Sequence, residues 1–372
     1  MAPECNLQEP AAAAPAQHLC AAQVLLRRGA LERMPKWLIC IPLALQWLGL
    51  AVRYRSLTLP SAANPAITSG GLVGEGKLEY FKDMGPVARV AMARHCAIST
   101  HCRATGAELR QMMSDAGLAF PVVAKPDLGL CGYGVRRIDD MTSLQTYLAA
   151  YPANEVVLLQ EYLAQEGEAG IFYARDPNTD TGRIIGLALR HFPQVRGDGR
   201  RTLAELIAID PRARRVLDSP LHESRDGGER VPAAGEVVRL ATIGSTRVGG
   251  LYRDGAAWIT PALVAEIDAI ARDMPQFHFG RFDVRFDDLS SLAAGRGLVI
   301  MEINGAGSEA IQAWDPDTGL LRGFGMIFAK QRTLFAIGDA MRRRGVQPIG
   351  LLELARLNRR QQVLIRQYPP SN

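Results

Sequence analysis

The chain has 372 residues, of which 48% are hydrophobic and 22% charged, with six cysteines and a formal net charge of +5. A chain of this size and composition is typical of a globular protein with two or three packed lobes, and so few cysteines argue against a disulfide framework. The arginine pairs are scattered without interleaved aromatic residues, so the mild basic excess argues against a nucleic-acid partner and suits an enzyme with small anionic substrates.

The N-terminal part contains one strongly apolar segment. Residues 1–36 are rich in Ala and Pro without periodicity and are predicted to be a disordered extension. Residues 37–52 are apolar except for Gln46, and the run is shorter than the roughly 20 residues that span a bilayer. Tryptophan within the run and arginines just beyond it are typical of a helix in a membrane interface, but a buried helix fits equally well.

Residues 37–117 are predicted to be a helical and loop region, with a helical stretch over residues 77–116. Within this region, Gly71–Lys77 nearly matches a phosphate-binding P-loop. Leu78 stands where that motif needs a hydroxyl group, and the preceding residues do not have the pattern of a strand. The sequence therefore disfavours a P-loop.

A small α+β lobe is predicted for residues 118–163. Its first strand has the apolar sequence FPVVAK and is followed by a glycine-rich hairpin loop. The predicted elements are strands at residues 120–125, 135–138 and 155–163, a helix at 141–151, and a loop that carries Gly129, Gly132 and Gly134.

A larger α+β lobe is predicted for residues 164–330, followed by C-terminal helices in residues 331–372. The predicted strands are at 170–175, 183–191, 279–286 and 298–304, and the helices at 202–208, 261–274, 320–344 and 351–368. Residues 287–297, between the last two strands, have the pattern of a solvated loop. Because strict strand–helix alternation is absent, we predict α+β lobes rather than one doubly wound sheet.

Two strands of the larger lobe carry a candidate metal site. Side chains alternate across a strand, so Arg281 and Asp283 share one face of the first strand, and Glu302 and Asn304 share one face of the second. The apolar Val299, Met301 and Ile303 are expected on the opposite face. If the strands are neighbours, two carboxylates and an amide oxygen converge, and these are hard ligands suited to Mg²⁺.

The glycine-rich loop is a candidate phosphate site. Its glycines allow backbone amides to approach an anion closely, and it joins two strands, whereas a dinucleotide-binding loop of the Rossmann type would open a helix. Lys125 ends the preceding buried strand, where an ammonium group is unfavourable without a partner such as phosphate.

Four segments, FPVVAKPDLGLCGYGV, QEYLAQEGEAG, GRFDVRF and MEINGAG, resemble in this order the ATP-grasp superfamily. The pattern is similar to D-alanine–D-alanine ligases at GRFDV and EIN, and VRGDGRRTLAELI resembles a segment of cyanophycin synthetase-type ligases. The resemblance covers residues 72–320. It implies an ATP-grasp fold of two α+β lobes that grip ATP, with two Mg²⁺ ions or Mn²⁺ in their place.

The resemblance also implies a role for each matching residue. The implied nucleotide contacts are Lys77, Lys125, Gly129, Gly132, Gly134 and Arg247 around the phosphates, Gln160, Glu161, Tyr162 and Leu163 at the adenine, and Glu168 at the ribose. The implied metal ligands are Asp283, Glu302 and Asn304. Arg281 and the backbone near Ser308 would stabilise the reacting oxyanion.

The implied activity is that of a carboxylate–amine ligase, which activates a small carboxylate as an acyl phosphate, couples it to an amine and releases ADP and phosphate. The lobe that holds the first substrate in D-alanine ligases is short and apolar here, so D-alanine specificity is not supported. Two alternatives stay open: an ATP-grasp phosphotransferase, and a non-catalytic nucleotide-binding protein at a membrane. The expected location is the cytoplasm, with or without peripheral contact of residues 37–52 with the inner face of the membrane. The sequence leaves the substrates and the oligomeric state open.

Overall fold

The computed structural model of the chain describes residues 28–101, 104–217, 228–241 and 244–371. The predicted α+β class is confirmed. The α-helices are α1 (Ala30–Arg33), α2 (Lys36–Tyr54), α3 (Lys77–Phe81), α4 (Pro86–Ala91), α5 (Gly106–Asp115), α6 (Met141–Ala149), α7 (Leu203–Ile209), α8 (Pro261–Arg272), α9 (Leu289–Ala293), α10 (Leu320–Arg343) and α11 (Leu351–Ile365). The strands are β1 (His95–Ser99), β2 (Val122–Pro126), β3 (Arg136–Ile138), β4 (Val156–Glu161), β5 (Gly167–Asp176), β6 (Thr181–His191), β7 (Gln194–Arg196), β8 (Val237–Arg239), β9 (Leu251–Asp254), β10 (Phe279–Phe286) and β11 (Leu298–Asn304).

The smaller lobe is built on a four-stranded antiparallel sheet with the strand order β1-β4-β2-β3. Helices α5 and α6 supply leucines to the same core as the apolar residues of β2 and β4. Each helix begins at a side-chain cap, Thr105 for α5 and Asp140 for α6, which accepts a hydrogen bond from a backbone amide of the first turn. The helices therefore start where their apolar faces reach the sheet.

Strand β1 corrects the sequence prediction, which placed one helical stretch over residues 77–116. The chain forms two short helices, then β1, then α5. Strand β1 is short and lies at the edge of the sheet, and Ile98 is its one fully buried residue. A single buried position leaves no alternating pattern for sequence reasoning to detect.

The larger lobe is built on a five-stranded antiparallel sheet with the order β11-β10-β5-β6-β9. Helix α8 places Leu263, Ile267 and Ile270 in the core beneath this sheet, at the spacing of one helical face. A separate pair, β7 and β8, forms a small two-stranded sheet. The two α+β lobes implied by the ATP-grasp resemblance are thus both present.

The link between the metal strands differs from the prediction. Residues 287–297 were expected to be a solvated loop, but they contain the one-turn helix α9. Asp288 caps this helix by accepting hydrogen bonds from the backbone and side chain of Ser291, and Leu292 is fully buried in the core of the lobe. One buried leucine among polar residues is too weak a pattern to predict a helix of this length.

The part of the N-terminal region that the structure describes, residues 28–54, is mostly helical. A disordered extension was predicted for residues 1–36. Residues 1–27 of this extension lie outside the described residues, and its last part contains helix α1. Leu31 of this helix is buried, and the carboxylate of Glu32 forms an ion pair with the guanidinium group of Arg212 at 2.6 Å. The prediction of disorder is therefore wrong for residues 28–36, which Leu31 and the Glu32–Arg212 ion pair hold against the rest of the protein.

Helices α2 and α11, near the two ends of the described chain, pack against different parts of the protein. Helix α2 lies along α10, with Trp47 packed edge-on against Phe335 at 5.0 Å between ring centroids. Helix α11 instead reaches the smaller lobe, where Leu364 of the helix and Tyr368 just beyond it join the core. The smaller lobe as folded therefore contains more of the chain than residues 118–163.

Candidate active site

The predicted metal ligands come together on the β10–β11 hairpin. Asp283 lies directly opposite Glu302 in the antiparallel pairing. The amide nitrogen of Asn304 donates to a carboxylate oxygen of Asp283 over 3.2 Å. Arg281 binds both oxygens of the same carboxylate, at 2.6 and 2.9 Å. Strand pairing thus converts separate positions in the sequence into one polar cluster.

A β-bulge changes the faces predicted for β11. The pairing shifts after Asp283, so Met301 has no direct partner on β10. Ile300 and Ile303 both face the core, whereas Met301 is half-buried on the polar side, where its sulfur accepts a hydrogen bond from Arg285. The prediction that Val299 and Met301 share the apolar face with Ile303 is therefore wrong, since strict alternation fails across the extra residue.

Lys125 connects the two lobes at this cluster. Its ammonium group donates to the side-chain oxygen of Gln160 over 2.7 Å and to the backbone oxygen of Met301 over 2.8 Å. Burial lowers the pKa of Lys125 to about 8, and the nearby Glu302 opposes that shift. A buried ammonium group held mainly by neutral oxygens retains capacity for an anionic ligand.

Glu302 lies between two lysines. Lys77 approaches a Glu302 oxygen at 3.4 Å. Burial alone would raise the pKa of Glu302, but Lys77 and Lys125 outweigh burial and hold that pKa below its usual value. Glu302 is therefore ionised at neutral pH, as a metal ligand must be.

Glu168 occupies a buried ionic network rather than an open position. It is 5% exposed and pairs with Arg190 at 3.0 Å and with Arg285 at 3.3 Å. Arg190 also approaches Asp283 at 3.3 Å, so it connects the expected ribose carboxylate to the metal cluster. Sequence reasoning gave neither arginine a role in the site, although the two-residue spacing in β10 places Arg285 on the same face as Asp283.

The glycine-rich loop is braced by the C-terminus. Backbone oxygens of the loop region accept hydrogen bonds from Gln361, from Tyr368 and from Ser371. Gly134 has a φ of +72°, and a Cβ there would lie 2.7 Å from Pro126. A Cβ on Gly129 would lie 2.8 Å from the ammonium nitrogen of Lys77, so the loop passes directly over this lysine.

The residues predicted to contact the adenine, 160–163, lie between the lobes. Gln160 is buried, and its amide nitrogen donates to the backbone oxygen of Met301 over 3.1 Å. The carboxylate of Glu161 is held by Arg94 at 2.7 Å, and the ring of Tyr162 stacks with Arg137. The Glu161 side chain is thus engaged, and a nucleotide contact there would use the backbone of residues 161–163.

Three polar groups near the cluster have buried atoms without a hydrogen-bond partner in the described part of the chain. They are the carboxylate oxygen Oε2 of Glu75, two guanidinium nitrogens of Arg247 and the hydroxyl group of Ser308. Arg247 stacks on Tyr133 of the glycine-rich loop at 4.7 Å. Unpaired buried polar atoms are unfavourable, which makes these groups candidates for contact with a ligand.

Two buried charged groups near the cluster, Glu75 and Lys330, were not foreseen from the sequence. Burial raises the pKa of Glu75 to about 7, and the segment that carries it attracted notice only as a near-match to a P-loop. Lys330 of α10 approaches the backbone oxygen of Ala306 at 3.4 Å, and burial lowers its pKa to about 8. Its helical spacing alone gave no indication of a site.

The site contains the kinds of side chain that MgATP requires, which are oxygen ligands for the metal and cationic groups for the phosphates. Among the described residues, no group of three or more His, Cys, Asp or Glu side chains is arranged to hold a metal ion. Two carboxylates and one amide are nevertheless sufficient when phosphate oxygens complete the shell, as is usual for Mg²⁺. The unpaired nitrogens of Arg247 and the buried ammonium groups of Lys77 and Lys125 match a polyphosphate.

A substitution at Arg247 tests this fit. We expect Arg247→Met to raise the dissociation constant for ATP by about tenfold, because a charged hydrogen bond to phosphate is lost while the packing on Tyr133 is kept. Calorimetric titration with MgATP measures the effect. The exposed Arg214 provides the control substitution to Met, and equal affinities of the two variants would remove Arg247 from the site.

Comparisons with known proteins give a distant structural likeness. No protein-family model and no curated protein matches the chain. The chain is similar to the bifunctional glutathione synthetase from Pasteurella multocida, with 15% identity, a TM-score of 0.35, and coverage of 67% of this chain but 38% of that one. It is also similar to D-cycloserine synthetase, with 14% identity, a TM-score of 0.36, and coverage of 73% of this chain and 70% of that one. The likeness to D-alanine–D-alanine ligase from Bacillus anthracis has 14% identity, a TM-score of 0.41, and coverage of 75% of this chain and 71% of that one.

Proposed function

We propose that the chain is an ATP-grasp carboxylate–amine ligase that forms ADP and phosphate. The observation that carries the proposal is the convergence of Asp283, Glu302 and Asn304 on one hairpin, with Lys77 and Lys125 beside it. Hard oxygen ligands next to buried ammonium groups form the surroundings that a metal-bound triphosphate requires. A cytoplasmic location, where ATP is abundant, goes with this proposal.

Each residue of the cluster has a proposed part in binding. Asp283, Glu302 and Asn304 would hold Mg²⁺, which neutralises phosphate oxygens during phosphoryl transfer. Lys77, Lys125 and Arg247 would contact the phosphates beneath the glycine-rich loop. The interlobe residues 160–163 would hold the adenine through polar contacts of their backbone. Glu168 would reach the ribose only if one of its two arginine partners released it.

The chemistry proceeds in two steps. In the first, the γ-phosphoryl group passes to a carboxylate oxygen of the acid substrate, and ADP leaves. In the second, the amine forms a C–N bond to the acyl carbon, the C–O bond breaks, and phosphate leaves with that oxygen. Arg281 and the Ser308 amide would stabilise the oxyanion, and Glu75, with a pKa of about 7, suits the role of taking the amine proton.

A phosphotransferase would use the same nucleotide site. The two functions differ in whether an amine is required, because only the ligase transfers the acyl group to an amine. We expect ADP release from purified protein to require Mg²⁺, a carboxylate and an amine together. The measurement is a coupled ADP assay over a panel of small carboxylates and amino acids. A phosphorylated product that accumulates stably without an amine would favour the phosphotransferase.

A further inference from the structure

Helix α2 presents a continuous apolar face to solvent. From Trp37 to Val52, its exposed positions are Trp37, Leu38, Cys40, Ile41, Ala44, Leu45, Leu48, Gly49 and Val52, here called the α2 stripe. Leu45 is 64% exposed, Leu48 53% and Val52 79%. The exposed face of a helix in a globular protein ordinarily carries polar residues, so a stripe without one calls for a covering partner.

The opposite face of α2 is fixed to the protein. Ile39, Leu50 and Ala51 are buried, and the Gln46 side chain donates to the backbone oxygen of Phe328 in α10 over 2.8 Å. By length and composition, α2 is the one helix within the described ranges that qualifies as a candidate membrane span. Since one face packs along α10, however, the helix is placed to lie on an apolar surface, and its 19 residues would extend about 28 Å along it.

A basic cavity lies at the C-terminal end of the stripe. It has a volume of about 600 Å³, and its lining includes Arg53, Arg55, Arg342 and Arg343 but only one carboxylate, Asp339. Asp339 is already paired with Arg342 and Arg343. No carboxylate in the described part of the chain pairs with Arg53 or Arg55. The cavity therefore has positive charge available for an external anion.

From these two features, we propose that the α2 stripe and the arginine cavity form a docking surface for the anionic face of a phospholipid bilayer. The stripe would enter the interface between head groups and acyl chains, with Trp37 at one end. The arginines at the other end would bind lipid phosphates. The charge is what favours a bilayer over a second copy of the chain, because two copies joined through the stripe would leave this cavity without an anionic partner.

The test is flotation of the full-length protein with vesicles. We expect binding to vesicles of phosphatidylcholine with 30% phosphatidylglycerol, by mole (roughly the composition that gives a marked negative surface potential), and much weaker binding to pure phosphatidylcholine. Leu45→Glu with Leu48→Glu should lower the partition coefficient by about tenfold or more. Arg53→Gln with Arg55→Gln should lower it by about 30-fold, since each arginine near an anionic surface contributes about a fivefold gain.

Matched controls separate the stripe from general surface hydrophobicity. Val90→Glu with Leu352→Glu introduces the same charges at positions that are 86% and 87% exposed outside the stripe, and should leave binding unchanged. The proposal fails if the protein does not float with anionic vesicles, or if the Leu45/Leu48 variant binds as the control does. It fails also if the free protein is a dimer that only this variant converts to a monomer, because a second copy would then cover the stripe.

Discussion

Replacing Glu302 with Gln is expected to lower Mg²⁺-dependent ADP release on the order of 100- to 1,000-fold, the loss typical when one electrostatic group of an active site is removed. The substitution keeps the shape of the side chain and removes its charge. Glu302 is the carboxylate that Lys77 and Lys125 surround, and these cations outweigh burial and hold its pKa below the usual value. Without that charge, the cluster loses half of its carboxylate ligands for the metal.

Asp287 provides the matched control, because it lies just beyond β10 and is exposed. Asp287→Asn makes the same chemical change and should leave turnover unchanged. Circular dichroism and thermal unfolding should show that both variants are folded. Turnover of Glu302→Gln within a few-fold of the parent protein would remove this residue from the metal site.

Replacing Lys125 with Met is expected to weaken MgATP binding by about 10- to 100-fold, which corresponds to the loss of a hydrogen bond from a charged donor. Methionine fills a similar volume without the ammonium group. Because burial lowers the pKa of Lys125 to about 8, the charged form is less favourable in the free protein than it would be in water. We therefore expect the melting temperature of the variant to stay within a few degrees of the parent value.

The exposed Lys82 serves as the control for this experiment, since Lys82→Met removes the same charge at the surface. Calorimetric titration of both variants with MgATP measures the affinity. If Lys125→Met binds nucleotide as the Lys82 variant does, then Lys125 only links the lobes through Gln160 and Met301. A large fall in melting temperature with unchanged affinity would point to the same structural role.

The candidate metal cluster was predictable because it depends on short-range pattern. The two-residue spacing in β10 places Arg281 and Asp283 on one face, and a hairpin brings Glu302 opposite them. The bulge at Met301 was not predictable. An extra residue in one strand is stabilised by contacts across the sheet and between the lobes, including the hydrogen bond from Lys125, and these contacts are absent from local sequence.

Other parts of the site depend on contacts between distant residues. Arg190 reaches Glu168 and Asp283 from β6, and Lys330 reaches the loop after β11 from α10. The glycine-rich loop is held by Gln361 and Tyr368, more than 200 residues later in the chain. Nothing in the periodicity of these segments distinguishes such residues from ordinary surface or core positions, so tertiary structure was needed to identify them.

The identity of the nucleotide product tests the proposed ligase chemistry most directly. Purified protein would be incubated with MgATP, a carboxylate from the substrate panel and hydroxylamine in place of the amine, and the products followed by phosphorus NMR and a colorimetric hydroxamate assay. An acyl phosphate attacked by hydroxylamine predicts ADP, phosphate and a hydroxamate in equal amounts, and the Glu302→Gln variant should form them about 100- to 1,000-fold more slowly. Release of AMP and pyrophosphate would instead show adenylation of the carboxylate and contradict the proposed mechanism.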